Sequence, residues 1–252
     1  DAIEDNRLSV ATQLAGYIFE EGDRRTLAVL LKDPMKWLAR QNKSVVGRNE
    51  KALLSIALAR LARSDVSVAD AYFRHEWERY MAKGEIAWVR SQYALMAAYS
   101  QDDRAAQWYR EAGDARLSKI GLAWRVRSAL REAKVDWKWV LASIGQMPPE
   151  QQAEPRWIYW KGRGLAALGQ NEAATSAYAG IAGQFNFYGQ LAQEELGRSI
   201  FVPPVAPPPT QAEMAAARAN PSLVRAVELF RLGWRSDAVP ELNFALRGMS
   251  DR

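Results

Sequence analysis

The stretch that decides the fold is Ala167-Leu168-Gly169-Gln170-Asn171-Glu172-Ala173-Ala174-Thr175-Ser176-Ala177-Tyr178. It places a turn residue, Gly169, five positions before a small one, Ala174, and nine before a bulky one, Tyr178. The same triplet recurs as Ser64, Ala69 and Phe73, as Ser100, Ala105 and Tyr109, and as Gly233, Ala238 and Leu242; Gly22, Leu27 and Leu31 fit it loosely. Turn positions 64 and 100 lie 36 apart, and 100 and 169 lie 69 apart, close to two repeats. The intervening unit falls near Ala133, where Leu130-Arg131-Glu132-Ala133-Lys134 precedes Trp137. Each unit reads as helix, short turn, helix, with a period near 35 residues. The small residue lets two antiparallel helices approach, and the bulky one fills the groove between neighbouring pairs. One unit cannot bury its own apolar face, so the units must stack.

Composition agrees with this reading. The chain has 252 residues, 48% of them apolar and 25% charged, and 34 Lys+Arg against 29 Asp+Glu give a net charge of +5. These values belong to a folded protein and exclude disorder and collagen-like structure. There is no cysteine, so neither a disulfide framework nor a Cys-based zinc site is possible. A single histidine, His75, excludes a His-x-x-x-His metal pair. The first 147 residues hold one proline, Pro34, and no clean period-2 run of β-branched residues. The prediction is all-α: a right-handed superhelix of stacked antiparallel helix pairs, resembling degenerate tetratricopeptide repeats. This superhelix is expected over 1–198 and a Pro-rich linker over 199–220, built around Pro203-Pro204 and Pro207-Pro208-Pro209. Over 221–252 one further helix pair is expected, with Asn220 as its cap and Pro221 at the first helical position. That pair ends without a partner for its far face, so the chain reads as cut inside a domain. It opens Asp1-Ala2-Ile3-Glu4-Asp5, without a signal peptide, and no run has the apolar length of a membrane span.

No residue pattern carries catalysis. Glu20-Glu21, Asp102-Asp103 and Glu194-Glu195 are adjacent acids, which diverge by about 100° on a helix and do not face one substrate together. His75 has no nucleophile motif beside it, and phosphate-binding glycine motifs are absent. Gly162-Arg163-Gly164 lies inside a helix pattern, where close helix packing explains it. Ten tryptophans mostly follow the repeat and read as inter-helix core. Charge is the uneven feature: Arg116 to Lys138 holds seven cations and two anions, 7 − 2 = +5, equal to the net charge of the whole chain. Arg127, Arg131 and Lys134 stand at i, i+4 and i+7, one helix face, with Arg125 on its flank. These four are the candidate substrate-binding residues, on an anion-attracting surface; the bland alternative is a solvated or internally paired face. No nucleic-acid reader motif accompanies them, so nucleic acid is not expected as a partner. No metal or cofactor site is expected.

Three further stretches carry a resemblance to a known family. Leu122-Ala123-Trp124-Arg125-Val126-Arg127-Ser128-Ala129-Leu130 is followed by Met147-Pro148, by Trp157-Ile158-Tyr159-Trp160 and by Phe185-Asn186-Phe187-Tyr188-Gly189. This order resembles the helical superhelix of soluble lytic murein transglycosylases, and Arg225 to Phe230 with Trp234 to Leu246 resembles the start of that family's linker domain. The resemblance covers Leu122 to Leu246 and fades before that. It implies a periplasmic enzyme that cleaves the β-1,4 bond between N-acetylmuramic acid and N-acetylglucosamine, forming 1,6-anhydromuramic acid. It also implies that a single glutamate, in a lysozyme-like domain beyond the linker domain, does the chemistry. The motifs of that domain, Glu-Ser-Arg/Ala-Phe/Trp and Gly-Leu-Met-Gln, do not occur here. The implied role is thus a non-catalytic scaffold that helps to hold glycan strands. Its implied partners are peptidoglycan, the missing catalytic domain and other cell-wall enzymes. A tetratricopeptide-like scaffold for protein partners remains the alternative.

Overall fold

A computed structural model describes residues 7–43, 47–199 and 207–249. The described residues contain sixteen α-helices and no strand. In chain order they are α1 (Leu8–Ala15), α2 (Glu21–Lys32), α3 (Pro34–Leu38), α4 (Arg48–Leu61), α5 (Val66–Tyr72), α6 (Lys83–Tyr99), α7 (Ala105–Glu111) and α8 (Lys119–Leu130). They continue with α9 (Trp137–Gly145), α10 (Pro149–Gln152), α11 (Pro155–Ala167), α12 (Asn171–Ala179), α13 (Phe187–Glu195), α14 (Gln211–Ala219), α15 (Pro221–Arg231) and α16 (Arg235–Ala245). The chain divides into two units, 1–200 and 201–252.

Side chains from the turns start many of these helices. Asp65 accepts from the amides of Ser67 and Val68 at 2.8 and 3.0 Å, Ser118 from Gly121 at 3.0 Å, Asp136 from Trp139 at 3.1 Å and Asn186 from Gly189 at 2.9 Å. Each such cap satisfies an amide that the helix leaves free, a contribution of about 1 kcal/mol.

In the first unit, helices touch their sequence neighbours: α4 meets α5 and α6, α6 meets α7 and α8, α8 meets α9, α9 meets α11, and α11 meets α12 and α13. That nearest-neighbour pattern is the mark of a solenoid, and the all-α superhelix expected from the sequence is present. The core is divided in the same order, into clusters running from Ala15 to Tyr109, from Leu122 to Trp157 and from Tyr159 to Ala192. The repeat triplets land where the period puts them. Ala69, Phe73, Ala105, Tyr109, Ala174 and Tyr178 are all buried. The missing unit is the α8/α9 pair, whose connection spans 131–136. Gly22 is the exception: it is the second residue of α2 and not a turn. Of the tryptophans, Trp77, Trp108 and Trp157 are buried and six others half-buried, while Trp234 is exposed.

Gly162 and Gly164 show how closely the helices approach. A Cβ on Gly162 would lie 2.5 Å from Tyr178 Cε1 on α12, and one on Gly164 would lie 2.9 Å from Leu141 Cδ2 on α9.

The second unit is α14 to α16. Within it α15 and α16 form the expected pair, with Ala226 and Ala238 buried between them. Asn220 caps α15 and Pro221 takes its first position. The linker differs from expectation, because residues 211–219 are helical. Thr210 and Glu213 form a capping box, and the Ala-rich stretch that follows favours helix. Pro207 to Pro209 are exposed and outside any helix, while Pro203 and Pro204 lie outside the described residues.

Candidate functional site

The structure separates the four cations that the sequence grouped together. Helix α8 ends at Leu130, Arg131 is its C-cap and Lys134 lies in the bend beyond. Arg127, Arg131 and Lys134 therefore do not share a helix face. The cause is local: Asp136 is a strong cap that starts α9, and the chain needs 131–136 to reverse direction.

Arg125 and Arg127 pack against aromatic rings. Arg125 is only 6% exposed; its Nη1 donates to Gln146 Oε1 at 2.6 Å, and its guanidinium lies 5.8 Å from the Trp139 ring centre. Burial depresses its pKa. It is not available to a polymer at the surface. Arg127 lies 4.9 Å over the Trp124 ring and 5.7 Å from that of Trp157, where a cation–π contact holds it against the core.

Arg131 and Lys134 meet in a groove of about 460 Å³. Ala98 on α6 and Ala105 and Ala106 on α7 line it. Trp124 lines it too, and its ring stands edge-on to Tyr99 at 5.2 Å. Gln101, Asp102 and Asp103 come from the α6/α7 turn; Ser128, Arg131, Glu132, Ala133 and Lys134 come from α8 and its exit.

The groove's charges are largely paired. Arg104 binds Asp102 through Nε at 3.0 Å and Nη2 at 2.5 Å, which lowers the Asp102 pKa. Arg110 makes a two-pronged contact to Glu132 at 2.5 and 2.6 Å and lies 3.9 Å over the Trp139 ring; the hydrogen bonds to Glu132 raise its pKa. Arg131 Nη2 donates to the Gln101 carbonyl at 3.3 Å and lies 3.9 Å from Asp103 Oδ1. Lys119 pairs with Glu150 at 2.7 Å. Two of the seven cations in Arg116 to Lys138 thus meet acids from outside that stretch, Lys119 closely and Arg131 at 3.9 Å.

Sequence reading passed over Gln101. Its φ is +59°, the single left-handed non-glycine among the described residues; the five others with positive φ are glycines. It occupies the C′ position of α6, with the Asp102 amide bonded to the Ala97 carbonyl at 2.9 Å. The signal for it was a helix that ends Tyr99-Ser100-Gln101 without the glycine that such an ending favours.

His75 and Glu195, two further candidates, lie apart from the groove. His75 points to solvent with Nδ1 2.8 Å from Glu76 Oε1, and Glu195 accepts from the Tyr159 hydroxyl at 3.1 Å and pairs with Arg163 at 3.2 Å. Among the described residues no group of acids and histidine is arranged to hold a metal, and no helix is long and apolar enough to cross a membrane.

No known family model matches the chain, and no curated protein matches it. Solved structures do. An inactive mutant of lytic transglycosylase Slt from Pseudomonas aeruginosa is 23% identical and superposes with a TM-score of 0.60, over 99% of this chain and 41% of that one. This chain shares the fold of lytic transglycosylases. A 70-kDa soluble lytic transglycosylase in complex with bulgecin A is 21% identical, and the corresponding enzyme of Escherichia coli is 19% identical. Both have TM-scores of 0.59 and are matched over 99% of this chain and 40% of theirs. The chain thus spans about two fifths of the length of these lytic transglycosylases.

Proposed function

We propose that this chain is a non-catalytic helical portion of a periplasmic lytic transglycosylase. The whole enzyme cleaves the β-1,4 linkage of peptidoglycan with formation of 1,6-anhydromuramic acid, and this portion scaffolds it and helps to hold glycan strands. The observation that carries the reading is the fold likeness over 99% of the chain to three lytic transglycosylase structures. The order of motifs from Leu122 to Leu246 supports it independently. Its partners are peptidoglycan, the catalytic domain and other cell-wall enzymes. Polymer contact is assigned to the groove, through Arg131 and Lys134; Arg125 and Arg127 are set aside because the core holds them.

Two measurements test this. The chain incubated with purified peptidoglycan releases no anhydromuropeptides above a mock-purified control; release above it overturns the non-catalytic assignment. Insoluble peptidoglycan retains the chain at low salt and loses it as salt rises, and Arg131→Gln with Lys134→Gln reduces retention while Tm stays unchanged. Absence of retention at low salt, or retention indifferent to the double variant, overturns the polymer contact.

A further inference from the structure

The groove between the α6/α7 turn and the end of α8 selects a narrower ligand than a generic anion. Two of its three carboxylates, Asp102 and Glu132, are occupied by Arg104 and Arg110. The groups left to meet a ligand are the Lys134 ammonium, the outer edge of the Arg131 guanidinium, the Asp103 carboxylate and the Gln101 amide. Asp103 is almost fully exposed, so its 3.9 Å contact with Arg131 is weak and readily exchanged. With Asp102 and Glu132 neutralised by Arg104 and Arg110, a phosphate dianion or nucleic acid entering here would meet two cations but would leave the adjacent Asp103 carboxylate unanswered. A neutral ligand would leave the adjacent opposite charges unused.

Gln101 is the second observation. An L residue in the left-handed region is held there against its own preference, and such strain points to function when it borders a site. Here the strained residue is on the groove wall, and Arg131 fixes its carbonyl. Glycine would satisfy the helix ending; it would not supply an amide to the groove.

We propose that the groove binds an α-amino carboxylate carried on a flexible apolar stem. The carboxylate meets Arg131 and Lys134, the ammonium meets Asp103, and the Gln101 amide bonds to either. The stem lies on the Ala98, Ala105 and Ala106 methyls against Trp124. On an α-amino carboxylate the opposite charges share one carbon, matching the side-by-side placement of Asp103 and Arg131. The roughly 460 Å³ of space is of small-molecule size and admits such a group with its stem. The assignment deepens the polymer contact proposed above, and rests on it only for the ligand's source: a peptide branch on the polymer or a free amino acid.

Calorimetric titration with Nε-acetyl-lysine tests it, because that probe displays the group on an acylated stem. Saturable binding is expected, weakened at least about tenfold when the carboxylate is amidated or when the α-amine is also acetylated. Asp103→Asn and Arg131→Gln weaken it comparably. Gln101→Gly weakens it while raising Tm, which separates lost contact from lost folding. Norleucine distinguishes the source: equal binding points to a free amino acid, much weaker binding to a displayed one. No saturable binding of either probe, or binding indifferent to the amide probe and to both charge variants, overturns the proposal. If peptidoglycan retention depends on Arg131 and Lys134 while both probes fail, this inference falls and the polymer contact stands. If the probes bind and the polymer is not retained, the reverse holds.

Discussion

Gly162→Ala tests whether close approach of paired helices holds the stack together. Alanine in a helix interior ordinarily stabilises by up to about 1 kcal/mol over glycine. Here the new methyl would stand 2.5 Å from Tyr178 Cε1 and 2.9 Å from Cδ1 and Cζ. The tyrosine has little room to withdraw: it is 4% exposed, and the Tyr159 ring lies 5.9 Å from its own. Either the ring leaves its rotamer or α11 and α12 separate, and overpacking of this kind costs about 1–3 kcal/mol. Separation adds further loss, since a tyrosine buries about 200 Å² at about 25 cal/mol per Å². The net expectation is a loss of about 1.5 kcal/mol, or about 3–6 °C in Tm for a chain this size. Gly84→Ala is the control: it lies in the first turn of α6, and a Cβ there meets nothing within 4 Å. Thermal melts followed by circular dichroism at 222 nm compare the two. If Gly162→Ala melts at or above the wild-type temperature, as Gly84→Ala should, the packing argument is refuted.

Gly189→Ala should be worse, because its Cβ would lie 2.1 Å from the backbone carbonyl oxygen of Gln184, which cannot swing aside. A loss of at least about 3 kcal/mol in urea denaturation is expected, and a loss below about 1 would contradict the geometry. Alkaline pH should also loosen the α11/α12 pair. Burial raises the Tyr178 pKa to about 12, against about 10 for the unfolded chain. Above pH 10 the unfolded chain releases this proton while the folded chain keeps it, so the tyrosine's contribution is intact below 10 and lost as pH rises through 12. Tyr178→Phe should flatten the fall of Tm over that range; an unchanged slope contradicts the assignment.

The repeat was legible because its signals are local: a turn residue, a small residue and a bulky one within nine positions. Burial then follows from the stack, as at Ala69, Ala105 and Ala174. The groove was only half legible. Two readings of one stretch disagreed, since the period placed a turn near Ala133 while the spacing of Arg127, Arg131 and Lys134 assumed a helix through it. Period was the better guide, because a turn is imposed by the neighbouring units and a run of cations constrains nothing about the backbone. The linker was misjudged for a related reason. The proline cluster stops at Pro209, and Thr210 with Glu213 starts a helix at once.

Charge was misread because a linear window cannot see one repeat away. Glu132 pairs with Arg110, 22 residues earlier; Arg131 approaches Asp103, 28 earlier; Lys119 reaches Glu150, 31 later. In a solenoid an acid that answers a cation can stand on the adjacent turn or helix, as Glu150 does for Lys119 and Asp103 for Arg131. The net charge of the chain still favours anionic polymers at long distance, and salt screens that attraction. Selection at contact falls to the few groups the stack leaves unsaturated, Lys134, Asp103 and part of Arg131, and these carry both signs. A site of that kind discriminates by placing two opposite charges at once, and so the amidated and acetylated probes are a sharper test than any polyanion.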